Sequence, residues 1–236
     1  MGDNILLLAG TAATIGVVHT LIGPDHYLPF IMMAKARAWK LPRTLLITFL
    51  CGIGHVLGSV LLGLVGVAFG VALHELELIE SVRGEYAAWA LIAFGVLYAL
   101  WGLRQALKPE AHAHEHAHND GVVHAHAHVH LAGRAVHARR HHREMTFWAL
   151  FTIFVLGPCE PLIPVLMYPA AAASTAGLLL VTGTFAVTTI ATMLGMVALV
   201  TTGLERLPLR ALERYTHVIA GSTIALSGLA IQLLGL

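Results

Sequence analysis

GPDHYLPF at residues 23–30 and GPCEPLIP at residues 157–164 decide how this chain is built. Each places Gly-Pro, two polar residues and a proline-containing apolar stretch inside a long hydrophobic region. The two lie 134 positions apart. A proline within a helix removes an amide donor and leaves a carbonyl unpaired, so each segment predicts a broken helix. Near the same offset, GHVLGSVLLGLVG (54–66) falls against VTTIATMLGMVAL (187–199). Both comparisons predict a duplicated half.

Around these segments run six apolar regions, near 4–34, 44–73, 86–107, 145–172, 176–203 and 215–236. Each meets the length of about 20 mostly apolar residues that a bilayer-spanning helix needs. Of the 236 residues, 57% are hydrophobic and 11% charged, with a mean hydropathy of +0.77. Soluble domains carry roughly 25% charged residues, so an ordinary cytosolic domain and a disordered chain are both excluded. A net charge of +1 supplies no general attraction to nucleic acid. Two cysteines cannot build a disulfide framework. Residues 1–4 hold no Lys or Arg, so the first region reads as a retained span rather than a signal peptide.

The expected fold is an all-α membrane protein with six transmembrane helices, forming two inverted three-helix repeats in which helices one and four are broken. Its parts are residues 1–107, a His-rich loop at 108–144 and residues 145–236. An odd number of spans per half forces the halves into opposite orientations, a common plan for secondary transporters. Thirteen of the 14 basic residues fall in alternate connections, and only Arg83 lies elsewhere. The second connection instead holds Glu75, Glu77, Glu80 and Glu85. By the positive-inside rule this places both termini outside and the His-rich loop in the cytoplasm, in a prokaryotic inner membrane.

Ionisable residues within a bilayer are expensive and functional by default. They are His19, Asp25 and His26 in the first region, His55 in the second, and Cys159 with Glu160 in the fourth. Imidazole, carboxylate and thiolate together suit a first-row divalent metal. A structural alternative pairs them with one another, for example Asp25 with His55, and a lone buried Cys159 usually behaves as a small hydrophobe. Asp25 and Glu160 would offset the ion's charge and could carry protons in exchange. Thr184, Thr188, Thr189 and Thr192 in the fifth region read as packing residues. His74 and His217 receive no role. Gly58, Gly63, Gly66 and Gly70 form a stripe that packs within the chain or against another copy.

Eleven of the 16 histidines fall between 112 and 142. Within that segment His112, His114, His116, His118, His124, His126, His128 and His130 alternate with small or polar residues. This composition buries no core, so the loop is expected to be disordered. Neutral imidazoles at this density bind Ni, Co, Zn or Cu with modest selectivity, which makes the loop an auxiliary metal-binding segment.

HTLIGPDH (19–26), CGIGHVLGS (51–59) and the His-rich middle loop resemble the nickel/cobalt transporter superfamily, including its urease-accessory and hydrogenase-associated members. The resemblance implies metal ligation by His19, Asp25, His26 and His55. The usual signature has four residues between the His and the Asp-His pair, and here there are five, Thr20 to Pro24. GPCEPLIP is similar instead to the Pro-Cys segment of the thiol–disulfide carriers of cytochrome c biogenesis. Those relatives place one Cys in span one, where this chain has Asp25, and one in span four. Cys51 lies in span two and does not replace it.

The expected function is therefore secondary transport of a divalent transition-metal cation, Ni²⁺ or Co²⁺ before Zn²⁺, without enzymatic activity or a permanent cofactor. Its partners are the metal ion, the bilayer and a further copy of the chain. One rival is a membrane thiol–disulfide oxidoreductase, which predicts a Cys51–Cys159 disulfide. Another is a metal buffer or sensor acting through the His loop alone. Sulfite and organosulfonate exporters form a third class, and an anion site would need a mid-span Arg or helix N-termini.

Overall fold

The computed structural model describes the backbone of residues 2–107, 114–117, 123–126, 138–157, 159, 161–171, 174–205 and 210–234. Side chains are described at 5–107, 146–157, 159, 161–167, 174–204 and 213–234. The packed body is all-helical among these residues: α1 (Gly2–Ile22), α2 (Leu28–Arg37), α3 (Leu41–Phe69), α4 (Leu73–Ala106), α5 (Ala138–Leu156), α6 (Leu162–Ala171), α7 (Thr175–Glu205) and α8 (Thr216–Leu234). Short 3₁₀ turns at Pro24–His26 and Arg210–Tyr215 precede α2 and α8.

Both Gly-Pro segments interrupt a helix. In the first half α1 stops at Ile22, Pro24 opens the 3₁₀ turn, and α2 restarts with Pro29 in its first turn. In the second half α5 stops at Leu156 and α6 restarts at Leu162. Proline tolerates the first helical positions, where the missing N–H has no partner to lose. Two helix ends close as Schellman caps. Trp39 N–H donates to Ala34 O and Val71 N–H to Gly66 O, around left-handed Ala38 (φ 49°) and Gly70 (φ 65°).

Among the described residues, five helical segments are long and apolar enough to cross a membrane: Ile5–Ile22, Leu41–Phe69, Leu73–Ala106, Thr175–Leu204 and Glu213–Leu234. Thr146–Leu156 is a shorter apolar helix, cut off by its break. Large apolar side chains face outward on helix after helix, among them Leu7, Leu97, Val187, Leu199 and Leu233, each at least 68% exposed. The buried set instead includes His26, His55, Ser59 and Glu80. A protein apolar outside and polar within is compatible with a lipid surround.

The third region begins earlier than its sequence suggests. Residues 74–85, expected as an acidic connection, lie on α4, and the actual turn is only Gly70–Ala72. Glu80 and Arg83 sit three apart on this helix and pair with each other, which supports helix where charge density alone suggested loop. At 34 residues α4 is about 51 Å long, well beyond a hydrocarbon core of about 30 Å.

Packing crosses between the halves. α1 lies on α7 and α5 on α3, while α3 meets α7 and α4 meets α8. The α4–α8 crossing is backbone-close at Gly95 and Gly221: a Cβ at either would collide with the facing main chain. Three glycines of the α3 stripe pack within the chain, Gly58 against Val155, Gly63 against Leu166 and Gly66 against Leu76, whereas a Cβ at Gly70 would meet nothing within 4 Å. Gly16 of α1 sits beneath Thr188 and Thr189, consistent with packing threonines on α7. At one end of the bundle Arg37 of α2 donates to Tyr98 Oη (3.1 Å) and Thr146 Oγ1 (3.0 Å). Tyr98 Oη also bonds His217 Nδ1 (2.9 Å). His217 thus ties α8 to α4.

Within the His-rich loop, β1 (His114–Ala117) and β2 (Val123–His126) pair antiparallel, with His114 opposite His126 and His116 opposite His124. His112, His118, His128 and His130 lie outside the described residues.

Candidate metal centre

His19, on the last turn of α1, and His26, closing the 3₁₀ turn, come from the two sides of the first break. His55 comes from the middle of α3. The break folds the chain so that the His26 ring lies between the other two. Its centroid is 4.6 Å from that of His19 and 5.0 Å from that of His55, both edge-on. One ring nitrogen from each lies within 4.8 Å of the others. A metal about 2.1 Å from each of three nitrogens sets them about 3.4 Å apart in a tetrahedral arrangement, so the widest pair would close by on the order of 1 Å on loading.

The hydrogen bonds say which nitrogens are free. His26 Nδ1 faces Gly23 O at 3.1 Å and Asp25 Oδ1 at 3.2 Å. His55 Nδ1 faces Phe154 O at 3.3 Å. A carbonyl only accepts, so both Nδ1 atoms carry the hydrogen and, in the neutral rings, both Nε2 atoms keep a lone pair. The Nε2 atoms of His19, His26 and His55 are all buried without a hydrogen-bond partner. Buried polar atoms are normally satisfied. Three buried imidazoles with one ring nitrogen each within 4.8 Å of the others could hold a metal ion, and on His26 and His55 the Nδ1 atom is oriented by a carbonyl or carboxylate, as on metal-ligating histidines generally.

Local sequence explains the geometry. Phe154 O stands four residues before Pro158, which has no N–H to donate. That carbonyl therefore takes Gly157 N–H at 3.1 Å and the His55 ring across the interface. Gly23 leaves room for the His26 ring, since a Cβ there would lie 2.5 Å from Nδ1. Beside the three rings is a cavity of ≈ 480 Å³, walled by Thr14 and Val18 of α1, Ala87 and Leu91 of α4, and Phe154 and Pro161 at the second break.

Of the six residues singled out in sequence, the structure brings His19, His26 and His55 together and sets Asp25 on His26. Asp25 does not pair with His55. Cys159 stands apart from the three rings. Its amide donates to Ser59 Oγ (3.0 Å), and its side chain packs among Val56, Leu162 and Phe185. Cys51 is also a free thiol and belongs to a different apolar cluster. The Glu160 expectation lies outside the described residues.

Ser59, Glu80, Arg83 and the Phe154 carbonyl form the neighbouring polar structure that sequence reasoning missed. Its one available signal was Arg83, the single basic residue outside the alternating charge pattern. Arg83 lies on α4. It offers no anion site, however, being engaged with Glu80 and with carbonyls at the end of α5.

Comparison of the chain with family models, with curated proteins and with solved structures found no match in any of the three. The class is therefore defined by the molecule itself. It is a bundle of long apolar helices with three histidines that could hold a metal ion.

Proposed function

We propose that this chain is a secondary transporter carrying a divalent transition-metal cation, Ni²⁺ or Co²⁺ with Zn²⁺ as a weaker candidate, across a membrane. The observation that carries the reading is that one ring nitrogen each of His19, His26 and His55 lies within 4.8 Å of the others beside a cavity, with all three Nε2 atoms buried and lacking a hydrogen-bond partner. Imidazole nitrogen suits these metals, and three protein donors leave positions open through which an ion can enter and leave. Asp25 orients His26 and offsets part of the ion's charge. Protons compete with the metal for the same nitrogens, since ligands bind deprotonated. Uptake that is independent of pH would remove the proposed coupling to protons.

The two-repeat plan belongs to the same proposal. Exchanging the halves maps α1 on α7 onto α5 on α3, and leaves the α3–α7 and α4–α8 pairs unchanged. Residues 1–107 and 145–236 would then be the inverted repeats, with a six-span topology, external termini and the His-rich loop capturing ions in the cytoplasm.

The test is calorimetry on the full chain with its 11 loop histidines changed to alanine, titrated with Ni²⁺, Co²⁺ and Zn²⁺, and uptake by the same protein in liposomes. One core site that disappears on His26→Ala or His55→Ala, together with metal accumulation in the vesicles, is expected. Retained fold with no core binding overturns the reading.

A further inference from the structure

Arg83 reaches from α4 to the end of α5. Its Nη2 donates to Gly157 O at 2.9 Å and Val155 O at 3.4 Å, and its Nε donates to Leu156 O at 3.2 Å. These are carbonyls of a helix terminus, which lack intrahelical donors, and a guanidinium supplies several N–H groups in one plane. A cation at a helix C-terminus also meets the negative end of the helix dipole. Glu80, fully buried, holds the guanidinium through Nη1 at 2.6 Å. Ser59 Oγ donates to the other Glu80 oxygen at 3.2 Å and accepts the Cys159 amide at 3.0 Å. The network therefore grips the chain on both sides of the second break.

The α3 face that receives this end is the one that carries His55. A Cβ at Gly58 would lie 2.9 Å from Val155 O and 3.0 Å from Arg83 Nη2, and one at Gly54 would lie 2.7 Å from Val155 Cγ2. Gly54, His55, Gly58 and Ser59 thus form one docking surface for Phe154, Val155 and Cys159. The carbonyl that orients His55 belongs to Phe154, one residue before the three that Arg83 holds.

We infer that Arg83 is a positioning residue for the histidine centre: by clamping the end of α5 against α3 with Glu80, it places the Phe154 carbonyl that keeps the His55 hydrogen on Nδ1 and its Nε2 free. The inference rests on the metal-site reading only for its functional consequence, because the His55 tautomer exists without metal.

The test therefore begins without metal. The full chain, with loop histidines changed to alanine and ¹⁵N-histidine incorporated, is compared by ¹⁵N NMR with the Glu80→Gln/Arg83→Met double variant. Removing both charges avoids leaving the buried Glu80 carboxylate without its guanidinium counter-charge. The wild type should show His55, assigned by its loss in His55→Ala, as the Nδ1–H tautomer. The double variant should move it toward Nε2–H and bind Co²⁺ roughly 10–100-fold more weakly, the usual cost of losing an orienting group. If that variant does not fold, Gly58→Ala wedges the guanidinium and Val155 carbonyl apart with both charges kept, and should move the same signal. A folded variant of either kind with the wild-type His55 signal overturns the inference. A shifted signal in a protein that binds no Co²⁺ leaves the positioning role standing and rejects the transport reading.

Discussion

His55 Nδ1 donates to the carbonyl of Phe154 at 3.3 Å, across 99 positions of sequence. The bond joins the middle of α3 to the last turn of α5 and leaves the other nitrogen of the ring buried without a hydrogen-bond partner, with the ring 5.0 Å from that of His26. One contact between the halves thereby helps set both the packing of the second break and the chemistry of the first.

Replacing any one of His19, His26 or His55 with alanine removes a donor from the centre. Each should weaken Ni²⁺ or Co²⁺ binding by at least the roughly 10–100-fold that loss of an orienting neighbour costs. Calorimetry on the background lacking loop histidines measures this. Equal affinity for all four proteins would remove the centre from consideration.

Asp25→Asn keeps the shape of the side chain but takes its charge away from His26 Nδ1. Gly23 O still accepts from that nitrogen at 3.1 Å, so the ring should keep its tautomer. The expected loss of affinity is roughly tenfold, at the low end of the range for an orienting group. A Co²⁺ absorption titration of Asp25→Asn beside His26→Ala should rank the two in that order.

Gly23→Ala tests the geometry from the backbone side. Its Cβ would sit 2.5 Å from His26 Nδ1 and 2.9 Å from Asp25 Oδ1. The three atoms nearest the new methyl all belong to His26 and Asp25, so the ring must move. Metal affinity should fall sharply with a small change in thermal midpoint; a large drop in midpoint with intact affinity would contradict the crowding.

Gly95→Ala and Gly221→Ala should do the reverse. Both put a methyl against facing main chain where α4 crosses α8, away from the three histidines. Overpacking of this kind costs about 1–3 kcal/mol, read as a lowered thermal midpoint. Metal affinity per folded molecule should stay at the wild-type value.

Changing all 11 loop histidines to alanine should lower the number of ions bound while leaving the tightest site in place. If the tightest site goes instead, the loop is the functional metal binder and the chain is a buffer or sensor. Alkylation followed by mass spectrometry on the same preparation should find Cys51 and Cys159 both reduced, as free thiols in separate clusters.

Helical breaks at Gly23-Pro24 and Gly157-Pro158 were legible in the chain, because proline's missing amide acts through its own neighbours wherever the helix lies. So were the apolar helices, set by local hydrophobicity, and His19, His26 and His55 as intramembrane oddities. The start of α4 was not legible: Glu75, Glu77 and Glu80 look like a loop until Arg83 and Ser59 appear opposite Glu80. Nor could sequence distinguish Asp25 as a partner of His26 from Asp25 as a partner of His55, or detach Cys159 from the histidines. Those outcomes depend on which atoms face one another across 21, 73 or 99 positions of chain. Local chemistry determined where this protein bends and which polar groups it carries, and it set the His26 ring through Gly23 O and Asp25; only tertiary packing brought the three rings together and gave His55 Nδ1 a carbonyl to donate to, because that carbonyl lies 99 positions away.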